Sequence, residues 1–369
     1  MEKKNQLKVL WLSPNLNHYK SRFLNHLALE EAIDLCVFSG SGRQDMGDEE
    51  LKEDWSFKQI SIEVSKKDFG KSRLVKNKLE EIFNEFDWVM IPAEKKNIPL
   101  FLYALKLRQR HKSVRLFSYN HPVLKSGNGK VTMLDKWITK FFYRKLDRVV
   151  FYTEHSCKWA VTHKFINADK AYWANNTVDN AEIKKYYNYQ LPPKEVTTIL
   201  FIGRLIASKR IPELLSYYSE IKKAFSNMTL EIIGDGPESE HIKTAIASDS
   251  SIVWHGTLID EQEIAPIMKK ASLVFIPGHS GLSVNHAFSY GRPYITLQGP
   301  SHAPELEYLD KGENGYVLDD NFESNIKTIK NLLSDRIKLE RFCDSAKHKG
   351  DYLSVNKWVE QMKQNLIND

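Results

Sequence analysis

The stretch Leu200-Phe201-Ile202-Gly203-Arg204-Leu205-Ile206-Ala207-Ser208-Lys209-Arg210-Ile211-Pro212-Glu213-Leu214-Leu215 decides the fold class. A short apolar run, Thr198–Ile202, stops at a glycine. A loop with cations at 204, 209 and 210 follows, and a helical pattern over Arg210–Phe225 opens with a proline where a first turn accepts one. Strand, loop and helix in that order are the half-unit of a parallel α/β sheet. Gly203 allows close backbone approach, and a helix start behind a run of cations favours an anion. By itself the segment fits a diphosphate clamp and a solvated strand-to-helix loop equally.

The same rhythm extends outward in both directions. Downstream, strands are expected at Thr229–Ile233, Ser251–Trp254, Leu273–Ile276, Tyr294–Thr296 and Gly315–Leu318. Helices are expected at Pro237–Ala247, Asp260–Ala271, Val284–Tyr290 and Asn321–Ser334. Upstream, strands at Lys8–Leu12, Asp34–Phe38, Trp88–Ile91, Arg115–Ser118, Arg148–Tyr152 and Ala171–Ala174 alternate with helical patterns such as Ser21–Glu31, Arg73–Phe86, Pro99–Arg110 and Asp135–Leu146. The polar stretch Asn188–Lys194, with Pro192-Pro193, reads as an interdomain linker. The expected fold class is therefore α/β, two doubly wound Rossmann-like domains over residues 1–185 and 193–350, with a tail helix over 354–369. Such a pair would face a cleft at the carboxyl ends of its strands, where this class of sheet binds ligands.

Composition narrows the function. The chain has 369 residues, 42% hydrophobic and 27% charged, which suits a globular protein with a substantial core and excludes disorder. Three scattered cysteines, Cys36, Cys157 and Cys343, make neither a disulfide framework nor a metal motif, and fit a reducing cytosol. The apolar run Val9–Leu12 is cut off by Ser13-Pro14-Asn15, so no secretion signal is expected, and no apolar stretch is long enough to span a membrane. A net charge of +6 suits an acidic partner without choosing one. The acidic run Asp45–Asp54 reads as a solvated loop or helix start.

Common catalytic motifs are absent: there is no G-x-x-x-x-G-K-[ST] loop, no H-E-x-x-H helix and no G-x-S-x-G elbow. What the second half carries is a series. Gly203-Arg204-Leu205 with Lys209 is followed by Ile232-Ile233-Gly234-Asp235-Gly236-Pro237, then by Trp254-His255-Gly256-Thr257-Leu258. Pro277-Gly278-His279-Ser280-Gly281-Leu282-Ser283 comes next, running through His286-Ala287-Phe288-Ser289-Tyr290 to Gly291-Arg292-Pro293. Last is Pro304-Glu305-Leu306-Glu307 with Gly312-Glu313-Asn314-Gly315.

In this order and spacing, from about Leu200 to Asp319, the series resembles the C-terminal half of retaining GT-B glycosyltransferases of family four, of the bacterial surface-polysaccharide type. Asn176-Thr177-Val178-Asp179 is similar to the turn that closes the family's first domain. The resemblance implies a UDP- or GDP-sugar donor, no cofactor and no metal. It implies donor contacts at Gly203, Arg204, Lys209, Gly234, Gly236, Leu258, Gly281, Leu282, Ser283, His286 and Glu307, with Glu305 as the alternative acid. It places His121 at a strand end facing the donor sugar, a catalytic position shared with Arg204 and Lys209, and it puts His18, Tyr19 and Arg22 on the acceptor side. Two family glutamates are replaced, by Gly278 and by His286.

The implied activity is transfer of a sugar, with retention at the anomeric carbon, to a glycan or lipid-linked saccharide acceptor in capsule, O-antigen or exopolysaccharide synthesis. The alternatives are a nucleotide-sugar epimerase or hydrolase of the same fold, and a binding protein that has lost transfer. Basic helical segments at Lys71–Lys78, Lys106–Lys112 and Lys130–Lys145 fit an anionic membrane surface and a solvated helix face equally well. The expected location is cytoplasmic or peripheral on the inner face of the plasma membrane. No recognition motif for nucleic acid accompanies the charge.

Overall fold

The computed structural model describes residues 6–42, 54–124, 131–299 and 302–367. Most of the acidic run Asp45–Asp54, and Lys130 among the basic segments, lie outside the described residues. The chain divides into two compact units, Met1–Asn176 with Val355–Asp369, and Thr177–Ser354.

The first unit runs β1 (Leu7–Ser13), α1 (His18–Ala28), β2 (Ile33–Gly42), β3 (Lys58–Ser65), α2 (Arg73–Ile82), β4 (Trp88–Met90), α3 (Ile98–Arg110), β5 (Arg115–Asn120), α4 (Met133–Lys145), β6 (Arg148–Phe151), α5 (Glu154–Thr162) and β7 (Ala171–Trp173). Its seven strands lie in the order β3-β2-β1-β4-β5-β6-β7, and every pair is parallel. Helices cover both faces, so the inner strands bury nearly every side chain and read in sequence as continuous apolar runs. The edge strand β3 was not expected. Lys58, Gln59, Ser61 and Glu63 alternate with apolar residues and leave much of the strand exposed, so it lacks the apolar run of its neighbours.

The second unit runs α6 (Asn180–Tyr186), β8 (Thr197–Ile202), α7 (Ile211–Lys222), β9 (Met228–Ile233), α8 (Ser239–Ser248), β10 (Ile252–Trp254), α9 (Glu261–Lys270), β11 (Leu273–Phe275), α10 (Ser283–Ser289), β12 (Tyr294–Leu297), β13 (Gly315–Leu318), α11 (Phe322–Ser334) and α12 (Arg336–Tyr352). Its strand order is β10-β9-β8-β11-β12-β13, again all parallel. The stretch Asn188–Lys194, expected to link the domains, is packed inside this unit. Arg292 donates to the Gln190 carbonyl at 3.0 Å and Arg336 to that of Pro192 at 2.9 Å, and the boundary between units falls instead at Asn176 and Thr177.

The last helix, α13 (Val355–Ile367), belongs to the first unit, where it packs on α1 and β7. Trp358 anchors it: the indole N–H donates to the Tyr119 hydroxyl at 3.1 Å, and Trp11, Phe23 and Tyr119 surround the ring. Trp88, 278 residues from Leu366, donates in turn to the Leu366 carbonyl.

Candidate functional site

In the second unit the strand order reverses between β8 and β11, so the loops leaving these two strands at their carboxyl ends diverge and open a crevice. The loop after β8 holds Gly203, Arg204 and Lys209; the loop after β11 holds Pro277–Leu282. Two hydrogen bonds strap the loops together: the His279 N–H donates to the Ser208 carbonyl at 2.7 Å, and Lys209 Nζ donates to the His279 carbonyl at 2.6 Å.

This strap takes Lys209 out of water. Its side chain is 9% exposed, and burial first, then the positive charge of Arg204, lowers its pKa from 10.5 to about 8. Arg204 is only half-buried, yet its Nη1 is enclosed and has no hydrogen-bond partner among the described residues. A buried guanidinium nitrogen without an acceptor, beside an ammonium that desolvation and like charge both disfavour, is an arrangement that an anion would relieve on both counts. Arg210 follows in the left-handed region at φ 59°, ties its Nε to Glu213 at 2.9 Å, and starts α7.

Three glycines make these loops possible. A Cβ on Gly234 would overlap the Gly203 carbonyl, and one on Gly236 would overlap that of Leu205. The Leu205 N–H reaches the Asp235 carbonyl at 2.9 Å, so the loops after β8 and β9 are knitted backbone to backbone. At Gly278 a Cβ would overlap the Ser208 carbonyl and stand 2.7 Å from Lys209 Cα. The expected glutamate position is thus filled by the backbone that carries Lys209. Leu258 lies half-buried in the loop after β10, next to Gly256, whose carbonyl accepts from Gly234 N–H at 2.6 Å.

The loop after β11 is held from a second side by residues the sequence did not single out. His302 Nδ1 accepts from the Ser280 N–H at 3.1 Å, and Nε2 lies 2.8 Å from the Leu297 carbonyl. Nδ1 therefore carries no proton and Nε2 does, a neutral tautomer. Burial first, then the charges of Lys209 and Arg210, keep the His302 pKa below the usual 6.5 against the opposing Leu297 bond. Ser280 continues the network to Thr296 and Tyr294, and Tyr294 shares a 2.9 Å bond with Ser283. Gly281 and Leu282 are half-buried at the end of the loop. Beside it a cavity of about 670 Å³ is lined by Ser208, Arg210, His279, Gln298, His302 and Asp320 among others.

His286 stands one turn into α10, 3% exposed, with Nε2 at 3.0 Å from the carboxylate of Glu261 on α9. Tyr290 donates to the same carboxylate at 2.7 Å. Of the two candidate acids further on, Glu305 is buried and Glu307 exposed. Asn314 folds back on Asp310, accepting its N–H at 2.8 Å, which shapes the turn before β13.

In the first unit, His18, Tyr19 and Arg22 occupy the first turns of α1, which Asn17 caps by accepting from Lys20 N–H. His18 is buried with its ring 3.9 Å from that of Tyr19, and Arg22 is half-buried. His121 follows the end of β5, exposed, with its ring edge-on to Tyr152 and its carbonyl accepting from Tyr143 at 2.6 Å.

Residues 196–335 match the family described as glycosyl transferases group 1. The match lies within the second unit and covers most of it. An uncharacterized glycosyltransferase of Haemophilus influenzae is 22% identical over 304 residues, covering 78% of this chain and 79% of the relative. The poly(glycerol-phosphate) alpha-glucosyltransferase of Bacillus subtilis is 26% identical over 224 residues, 58% of this chain but 32% of that protein. The crystal structure of Anabaena HepE in complex with UDP and glucose superposes with a TM-score of 0.70 at 14% identity, covering 99% of this chain and 100% of that one. The chain thus shares the GT-B fold, two parallel α/β sheets of Rossmann type. Arg204, Lys209 and the loop after β11 lie where the strand order opens the sheet for a ligand.

Proposed function

We propose that the protein is a retaining, metal-independent hexosyltransferase that moves a sugar from a UDP-sugar to a glycan or lipid-linked saccharide in the assembly of a bacterial surface polysaccharide. A GDP-sugar is the second choice of donor. The observation that carries the reading is the Arg204–Lys209 pair: two cations held at a topological switch point, one with a buried nitrogen lacking an acceptor, the other desolvated to a pKa of about 8. The HepE complex with UDP supports the uridine choice, and the Bacillus relative supports a surface-polymer acceptor.

Breaking the bond between the anomeric carbon and the diphosphate moves negative charge onto the leaving oxygen. Arg204 and Lys209 would stabilise that charge more in the transition state than in the ground state, which is what lowers the barrier. The departing phosphate oxygen then takes the acceptor hydroxyl's proton on the face where the new bond forms, so the configuration is kept. The first unit takes the acceptor in this reading, with His18, Tyr19 and Arg22 on that side and His121 positioning the sugar. A thermal-shift titration with UDP, GDP, dTDP, CMP and ADP tests the donor. Stabilisation by UDP is the expected result; silence across the panel with folded protein overturns the reading.

A further inference from the structure

Helix α4 carries an apolar stripe that the first unit leaves uncovered. Met133 is 78% exposed, Leu134 63%, Trp137 68% and Phe141 38%. At 100° per residue these positions fall within one third of the helix circumference. The opposite face does the packing: Thr139, Phe142 and Tyr143 are buried, and Phe142 stacks on Phe101 at 3.9 Å. The stripe is therefore additional to the core-facing side of an ordinary amphipathic helix. Trp137 and Phe141 stack on each other, 6.3 Å apart and 10° from parallel, and present a joined aromatic surface to solvent.

The exposed charges of this helix are of one sign. Lys136, Arg144 and Lys145 are exposed on this helix, and its one acid, Asp135, is fully buried, capping the helix through Thr132 and paired with Lys95. Lys140 lies over the Phe165 ring at 5.2 Å. Aromatic and long apolar side chains bordered by Lys and Arg match the headgroup layer of an anionic bilayer, whose apolar boundary takes the rings while its phosphates meet the cations. Among the described residues no helix is long and apolar enough to cross a membrane.

We propose that α4 docks the protein onto an anionic lipid surface, with Trp137 and Phe141 at the boundary between headgroups and acyl chains and Lys136, Arg144 and Lys145 on lipid phosphates. This deepens the lipid-linked acceptor reading, but its test uses neither donor nor acceptor, so each can fail alone.

The test is co-sedimentation of the full chain with vesicles of phosphatidylcholine, with and without about one third phosphatidylglycerol. Binding to the anionic vesicles, little to the neutral ones, and weakening at high salt are expected. Trp137→Ser, alone and with Phe141→Ser, compared in protein that a melting curve shows to be folded, should weaken binding at least about tenfold, as should Lys136→Glu with Arg144→Glu. Ile337→Ser, 82% exposed on the second unit, should change nothing. Absence of binding by the unaltered protein, or equal binding by the Trp137/Phe141 variant, overturns the proposal. So does a dimer that this variant converts to a monomer while vesicle binding stays absent, because the stripe then covers a second copy.

Discussion

A Cβ on Gly278 would stand 2.7 Å from Lys209 Cα, so no side chain can occupy position 278 while Lys209 keeps its place. The contact links the loops after β8 and β11 more tightly than the Lys209–His279 bond alone. It also leaves no room for the glutamate expected there from family resemblance, because main chain fills that volume.

Restoring that acid should therefore harm the protein. Gly278→Glu, and even Gly278→Ala, must push the Ser208–Lys209 backbone away, because main chain cannot step aside as a flexible side chain can. The expected outcome is a fall in melting temperature together with loss of UDP stabilisation in a thermal-shift assay. A Gly278→Glu variant that binds UDP as well as the unaltered protein would contradict the packing argument.

Arg204→Ala and Lys209→Ala should each lower kcat/KM for the donor by at least about tenfold, since each removes a charged contact to the leaving group. Steady-state kinetics with the donor identified by titration measures this. Near-normal rates in both variants would remove these residues from the diphosphate site.

Donor binding should weaken as pH rises from 7 to 9. Lys209 has its pKa lowered to about 8, so it is charged below that value and mostly neutral above it, while a diphosphate requires the charged form. At pH 9 the affinity for UDP is expected to fall by up to about tenfold through this group, and Lys209→Met should flatten the profile. His302 does not interfere, because its pKa lies below 6.5. Calorimetric titration in buffers of different ionisation enthalpy would report the matching proton uptake, and a flat profile for the unaltered protein would rule Lys209 out.

Glu261, His286 and Tyr290 should behave as one unit. His286→Ala leaves the Glu261 carboxylate buried with one partner fewer, at a cost of about 1–3 kcal/mol. The double variant with Glu261→Ala should lose less than the sum of the single losses in urea denaturation. Strict additivity would mean that the pair does not interact. Measuring UDP affinity on the same variants separates a purely structural His286 from one that also touches the donor.

Trp358 should hold the tail to the first unit. It is 1% exposed among Trp11, Phe23 and Tyr119, and Trp358→Ala is expected to destabilise by about 3–5 kcal/mol. Limited proteolysis should then cut near Ser354 in the variant and not in the unaltered chain.

The sequence alone determined the α/β class, the inner strands and the cationic loop after β8. Strands covered on both faces must be apolar throughout, and the loop's glycine and cations are neighbours in the chain, so both leave local marks. The edge strand β3 escaped because its exposed positions alternate polar with apolar. What the tertiary structure decided are contacts between distant positions: Lys209 with His279, His302 with Ser280, Glu261 with His286, and the return of α13 to the first unit. None of these partners can be named from its own neighbourhood. The pKa of Lys209, the neutrality of His302 and the closed volume above Gly278 come from burial and from charges brought together by folding, which composition and spacing do not encode.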